Sequence, residues 1–273
     1  MIEVNSDLVQ DKDIFIPVYY EKIQLLEIRS SNNQVRTIEF QGCNFFANGV
    51  HLVIASSINL ENCFLFGGVR ADKGRSNHCI SSYITIEGKA DHVFGGGYAI
   101  GPGSTSMVYD TTIFVCGGKV RCLYGGGYGI QGGTVISDWI LIGEAKESCV
   151  GSLNGGSCLP GPKSMSYIKN ISFYLSGTIT SDVSLSGYTA NGSETTIEEY
   201  IALDAEKAHF QGRIYDCKTD GAMNNVSIHK ITCNIPQKYK DILRIQSSEI
   251  QILFPEPEMP ENNASDEIRK EQI

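Results

Sequence analysis

The chain has 273 residues, a net charge of −9 and a pI near 5.1, with 29 glycines, nine cysteines and a single tryptophan. Lys and Arg are scattered, so no basic stripe is present to neutralise phosphates, and no nucleic acid duplex is expected as a partner. No run of about 18 apolar residues would cross a membrane, and residues 1–20 lack the basic start and apolar run of a secretory signal.

The cysteine count is odd, the chain is too long for a small disulfide scaffold, and no Cys-x-x-Cys pair occurs. Cys43, Cys63, Cys116, Cys122, Cys217 and Cys233 sit in apolar contexts and read as buried thiols. The expected location is therefore cytoplasmic, and a surface or virion location requires another export route. Zinc-ligand spacing is missing, so no metal and no cofactor are expected.

In chain order, residues 1–35 are expected to form an N-terminal cap. Within it, the segment from Tyr19 to Ile28 fits a strand pair or a short helix. The coil proper is expected over residues 36–254. Ile38-Glu39-Phe40 and Cys43-Asn44-Phe45 match Ile58-Asn59-Leu60 and Cys63-Phe64-Leu65 at a step of 20, with a strand at Val50–Ile54 between them. Residues 67–82 read as a polar insertion carrying Arg70, Lys73 and Arg75.

The strongest signal follows. Gly95-Gly96-Gly97-Tyr98 returns as Gly125-Gly126-Gly127-Tyr128, 30 residues on. An Ile-x-apolar triplet recurs at Ile84, Ile113, Ile140, Ile171, Ile201 and Ile231, in steps of 29, 27, 31, 30 and 30. The alternation within each triplet is that of a strand with one buried face. A second apolar column reads Val93, Leu123, Val150, Val183, Phe210 and Ile242. A third, before each triplet, includes Met107-Val108-Tyr109 and Met165-Ser166-Tyr167. Three short strands per repeat, laid coil on coil, predict an all-β, right-handed parallel β-helix of seven or eight turns. A last strand is expected at Ile250–Phe254. Prolines 255, 257 and 260 then break regular structure, and residues 255–273 read as a disordered acidic tail.

These motifs carry two resemblances. The apolar alternation of Ile38 to Gly67, with Gly42-Cys43-Asn44-Phe45, Asn48-Gly49 and Asn62-Cys63-Phe64, resembles the parallel β-helix of the pectate-lyase-like superfamily. The segment from Ile84 to about Gly133 resembles the YGGGY repeats of adhesin-like surface proteins of gut-dwelling Gram-positive bacteria. The first implies the fold but spans lyases, hydrolases, tailspikes and non-catalytic adhesins. The second implies a surface role, although those proteins carry export signals.

Candidate sites follow from the columns. Gly95, Gly96 and Gly97, stacked on Gly125, Gly126 and Gly127, would offer a ribbon of backbone N–H groups to an anion. Tyr98 and Tyr128 would stack or meet edge to face as a platform for a sugar ring. Arg70, Arg75 and Arg121 would receive an acidic ligand. Asp110 and Asp138 precede the strand on consecutive turns and are the one candidate pair for glycoside chemistry. Asp91 and Arg121, 30 residues apart, predict an ion pair between turns, and Asp138, Lys169, Glu199 and His229 or Lys230 predict a charge ladder. His92 and His209 are expected in one column, too far apart to share a metal.

The expected function is a non-catalytic scaffold presenting the Gly-Tyr flank to a small anionic ligand, a carbohydrate or a protein partner. The alternatives are a polysaccharide lyase, hydrolase or depolymerase, and an intracellular binder of an anionic metabolite or nucleotide. The unpaired edges of the end coils leave head-to-tail or side-by-side self-association open.

Overall fold

A computed structural model of the chain describes residues 1–17, 25–219, 226–246 and 250–254. The period-2 alternation does what its pattern requires. Ile84 and Ile86 are fully buried, while Thr85 between them faces outward. Repetition of this pattern produces a parallel β-solenoid of about eight turns, about 30 residues per turn over most of its length.

Three ladders run along the axis. A long sheet holds eleven-residue strands such as Ser76–Ile86, Thr105–Val115, Thr134–Glu144, Met165–Leu175 and Glu194–Asp204. An opposing sheet holds strands such as Ile58–Phe66, Lys89–Phe94, Lys119–Tyr124 and Cys149–Asn154. A short sheet holds Arg70–Asp72, Tyr98–Ile100, Tyr128–Ile130, Ser157–Leu159, Gly187–Thr189 and Lys218–Thr219.

The main core lies between the long and opposing sheets. On one side Leu52, Ile84, Ile113, Ile142, Phe173, Leu203 and Cys233 lie one above the next. On the other, Phe45, Leu65, Val93, Leu123, Leu153, Val183 and Ile214 do the same. Each such buried side chain contributes about 2 kcal/mol.

These registers correct the expected columns. Ile113 pairs with Ile142, and Ile140 pairs with Thr111. In the opposing sheet Leu123 pairs with Leu153, while Val150 belongs to the column of Val120, Ile179 and Phe210. A two-residue slip keeps every side chain on its own face, so period-2 alternation alone does not exclude it. The third expected column is not a separate strand. It is the first half of the long strand, which bends where Tyr109-Asp110, Asp138-Trp139 and Lys169-Asn170 interrupt the apolar pattern. The third strand of each coil is instead the short one after Gly-Gly-Gly.

Residues 67–82 are part of the coil rather than an insertion. Arg70–Asp72 pairs with Tyr98–Ile100, and Ser76 opens a long strand. Only Lys73-Gly74 turns the chain, with positive φ at both residues. Before residue 36, strands Ile2–Val4, Leu8–Gln10, Ile14–Phe15 and Leu25–Ser30 pair in the same ladders as the coils that follow. At the other end Ile250–Leu253 pairs with Ile231–Asn234. The expected tail at 255–273, and the part of the Tyr19–Ile28 segment before Leu25, lie outside the described residues. All nine cysteines are free thiols; Cys116 is exposed and Cys122 half-buried, both contrary to expectation, because Cys116 lies in the bend after Val115 and Cys122 occupies an outward position of its strand.

The Gly-Gly-Gly corner sets the shape of the cross-section. It passes from the opposing to the short sheet directly beneath the bend of the long strand. A methyl group on Gly96 would come within 2.6 Å of the Gly127 nitrogen, and one on Gly95 would collide with Thr111. Glycine is required there by crowding, since none of Gly95–Gly97 or Gly125–Gly127 adopts a positive φ. The corner pinches the coil to a waist and leaves a concave notch on its outer side.

Candidate functional site

The notch is filled by rings. Phe15, Phe46, Phe66, Phe94 and Tyr124 are successive partners in one ladder column. Their centroids are 4.8, 5.0, 4.8 and 4.9 Å apart and their planes lie within 18° of parallel. The spacing is that of the strands, so the backbone repeat imposes the stack.

Tyr98 and Tyr128 close the notch from the short sheet. They point outward, as a platform requires, and meet edge to face at 5.3 Å and 79°. Yet each is half-buried against the five-ring column, Tyr98 stacking on Phe66 at 5.3 Å. Burial raises both phenols, Tyr128 to about 12. Tyr188 joins the same column two coils on, through Cys158. Only the rims of these rings face solvent.

Five of the six N–H groups of the glycines below are already engaged. Gly95 and Gly96 N–H groups donate to the carbonyls of Tyr124 and Gly126; those of Gly125 and Gly126 donate to Asn154 and Gly156. The Gly127 N–H donates to the Ser157 hydroxyl. The corner's hydrogen bonds run along the axis, coil to coil, which corrects the expected anion ribbon.

The arginines part company. Arg70 heads the Tyr98 column, held by Asp13 at 2.9 Å and Asp72 at 3.4 Å. With Phe15, Asn48, Asn77 and His78 it lines an open depression of about 440 Å³ at the N-terminal end of the notch. Arg75 sits in the following turn and reaches Asp72 only at 4.0 Å. Arg121 lies on the opposing sheet, 3.7 Å from Asp91 and 3.3 Å from the His92 ring, which matches the ion pair expected from the 30-residue spacing. Burial, then the Arg121 charge, holds His92 below its ordinary value. His92 and His209 are not in one column: His92 pairs with Cys122, and His209 stands in the column of Lys89, Lys119, Cys149 and Thr178.

The two candidate carboxylates are not stacked. Asp110 pairs in register with Trp139, and Asp138 is bound to Lys169 at 3.5 Å. Glu199 instead accepts a hydrogen bond from the neutral Asn170 at 2.8 Å, where the register shifts between Ile168 and Asn170, so among the described residues only the Asp138–Lys169 rung of the expected charge ladder is formed. Among the described residues, no three His, Cys, Asp or Glu side chains group as a metal site requires.

Two features escaped the sequence analysis. The first is the outer face of the long sheet around its bend. Ile80, Tyr109, Trp139, Met165, Tyr167 and Tyr174 are exposed there, Trp139 by 50%. Met107, Ile136 and Tyr167 form one column, and Phe114, Gly143 and Tyr174 another. The available signal was aromatic residues at outward positions of the alternation, where polar ones are the default. The second is Glu144, buried at the end of its strand. One oxygen accepts the Gly177 N–H at 3.2 Å and the other has no partner. Burial pushes this carboxyl up to about 7.

Compared with known proteins, the chain matches no family model, no curated protein and no solved structure.

Proposed function

We propose that this protein is a non-catalytic binding scaffold that presents an aromatic flank to a carbohydrate or protein partner. One observation carries the reading: the outer face of the long sheet exposes Tyr109, Trp139, Tyr167 and Tyr174 on eleven-residue strands paired on both sides. Aromatic faces fixed on paired backbone bind with little further ordering of the chain. Tyr98 and Tyr128, the flank expected from the glycine repeat, supply a secondary rim and mainly brace the notch. Membership of the pectate-lyase-like superfamily, and kinship with the YGGGY surface repeats, belong to this proposal and rest on the motifs alone.

Trp139 is the only tryptophan and so reports directly on this face. Titration with a panel of neutral oligosaccharides should change its emission for at least one member, and Tyr167→Ala should weaken that response. Binding that leaves Trp139 emission unchanged and is abolished by Tyr98→Ala would move the site to the notch. Cleavage of a glycan, lost in Asp110→Asn, would replace the scaffold reading with the enzymatic one.

A further inference from the structure

A second surface lies on the opposing sheet, at the ends of the strands opposite the Phe94 and Tyr124 rings and on a different sheet from the exposed aromatic face. Lys89 and Lys119 are direct partners in the parallel ladder and both are exposed. Adjacent strands lie about 4.8 Å apart, so two ammonium-bearing stems rise side by side, an arrangement that opposes folding unless something negative sits between or above them. Among the described residues neither ammonium has a carboxylate within 4 Å. Their ladder neighbours, Asn59 on one side and Cys149 on the other, bring no compensating charge.

The two lysines border a groove of about 460 Å³ whose other side carries Asp91, Arg121 and Gly151. At one end of the groove the register between Ile58–Phe66 and Lys89–Phe94 shifts between Ala90 and His92, where the former strand carries two extra residues. Glu61 also lines it, so the carboxylates are two against three cations. Asp91 is already engaged by the Asn62 N–H at 2.7 Å and by Arg121 at 3.7 Å. The uncompensated positive charge is therefore at the lysines. On a chain of net charge −9 this is a local inversion of sign.

We propose that this groove binds an oxyanion group, a phosphate or a sulfate, bridged by Lys89 and Lys119 with Arg121 at its far wall. An oxyanion offers several acceptors and full charge to two point cations one strand apart. The inference stands apart from the aromatic-face reading, because it uses a different sheet.

The test is calorimetric titration of the full chain at low ionic strength with inorganic phosphate, with dextran sulfate and with uncharged dextran. Dextran sulfate, phosphate or both should bind and dextran should not; which anion binds tells a sulfated polymer from a free phosphate. The Lys89→Gln/Lys119→Gln variant should bind about tenfold or more weakly, and added salt should have the same effect on the wild type. Without ligand, the double variant should melt no lower than the wild type, since a repulsion has been removed. Absence of binding by both anions, equal affinity in the double variant, a lower melting temperature of that variant, or a change in Trp139 emission on binding would each overturn the proposal.

Discussion

The notch is one groove filled by two chemistries. Over its N-terminal half the ladder column reads Phe15, Phe46, Phe66, Phe94, Tyr124, a continuous stack of rings. One coil further the same column reads Asn154, then Ser184. There the fill is hydrogen-bonded: Asn154 donates to the Leu123 carbonyl at 3.3 Å, Ser184 accepts the Lys218 N–H at 3.0 Å, and buried Asp216 accepts the N–H groups of Cys217 and Gln246 at 2.8 and 3.0 Å. Backbone geometry is shared, so the repeat fixes the groove but not its contents. The ring half gains from burial and tolerates no cavity; the polar half depends on each partner being present.

Substitutions in the two halves should separate them. Phe94→Ala removes a fully buried ring from between Phe66 and Tyr124 and should cost about 4 kcal/mol in urea denaturation. Gly96→Ala, beneath that ring, forces a methyl group onto the next coil's backbone and should cost about 3 kcal/mol in the same assay. Asn154→Ala, at the first polar level, leaves a buried carbonyl short of its donor and should cost about 2 kcal/mol. Equal losses at Phe94 and Asn154 would mean that the two halves are energetically alike.

The halves should also differ in their response to pH. Glu144 lies at the end of the last long strand before the polar coils, and burial lifts its carboxyl from an ordinary 4.5 to about 7. The unfolded chain releases this proton first. Stability is therefore full below pH 4.5, falls as pH rises to about 7 and is level beyond, a loss of about 3 kcal/mol. Glu144→Gln should flatten that slope, as read from urea midpoints across the range. A slope unchanged by the substitution would assign the effect elsewhere. The smallest effect is at the surface: Asp138→Asn breaks the exposed pair with Lys169 and should shift stability by less than about 1 kcal/mol.

Much of the architecture was legible because glycine and aliphatic residues recur for steric reasons. Gly95–Gly97 and Gly125–Gly127 mark a waist that only glycine fits, and Ile84 and Ile113 mark the core face. The errors also have physical causes. Ile140 and Ile142 both point inward, so an Ile-x-Ile triplet fits two registers and only the ladder distinguishes them. Tyr98–Ile100 was missed because a three-residue strand carries no periodicity. Tyr98 and Tyr128 were singled out because they repeat, whereas Tyr109, Trp139 and Tyr167 stand on the open face without repeating as one residue type. Glu144 carries no sequence signal, since its burial arises from the Gly177 coil folding over it.

The claim beneath all of this is that coils stack in parallel with the observed register. Thr85, Phe114, Gly143, Tyr174 and Asp204 form one outward column, so positions 85 and 204 are four strand spacings apart, about 19 Å. Spin labels carried on noncanonical side chains at these two positions leave the nine thiols untouched. Pulsed dipolar spectroscopy should then give a single narrow distance distribution near that value. A broad distribution, or one centred far beyond it, would contradict the stacked coil and the aromatic face built on it.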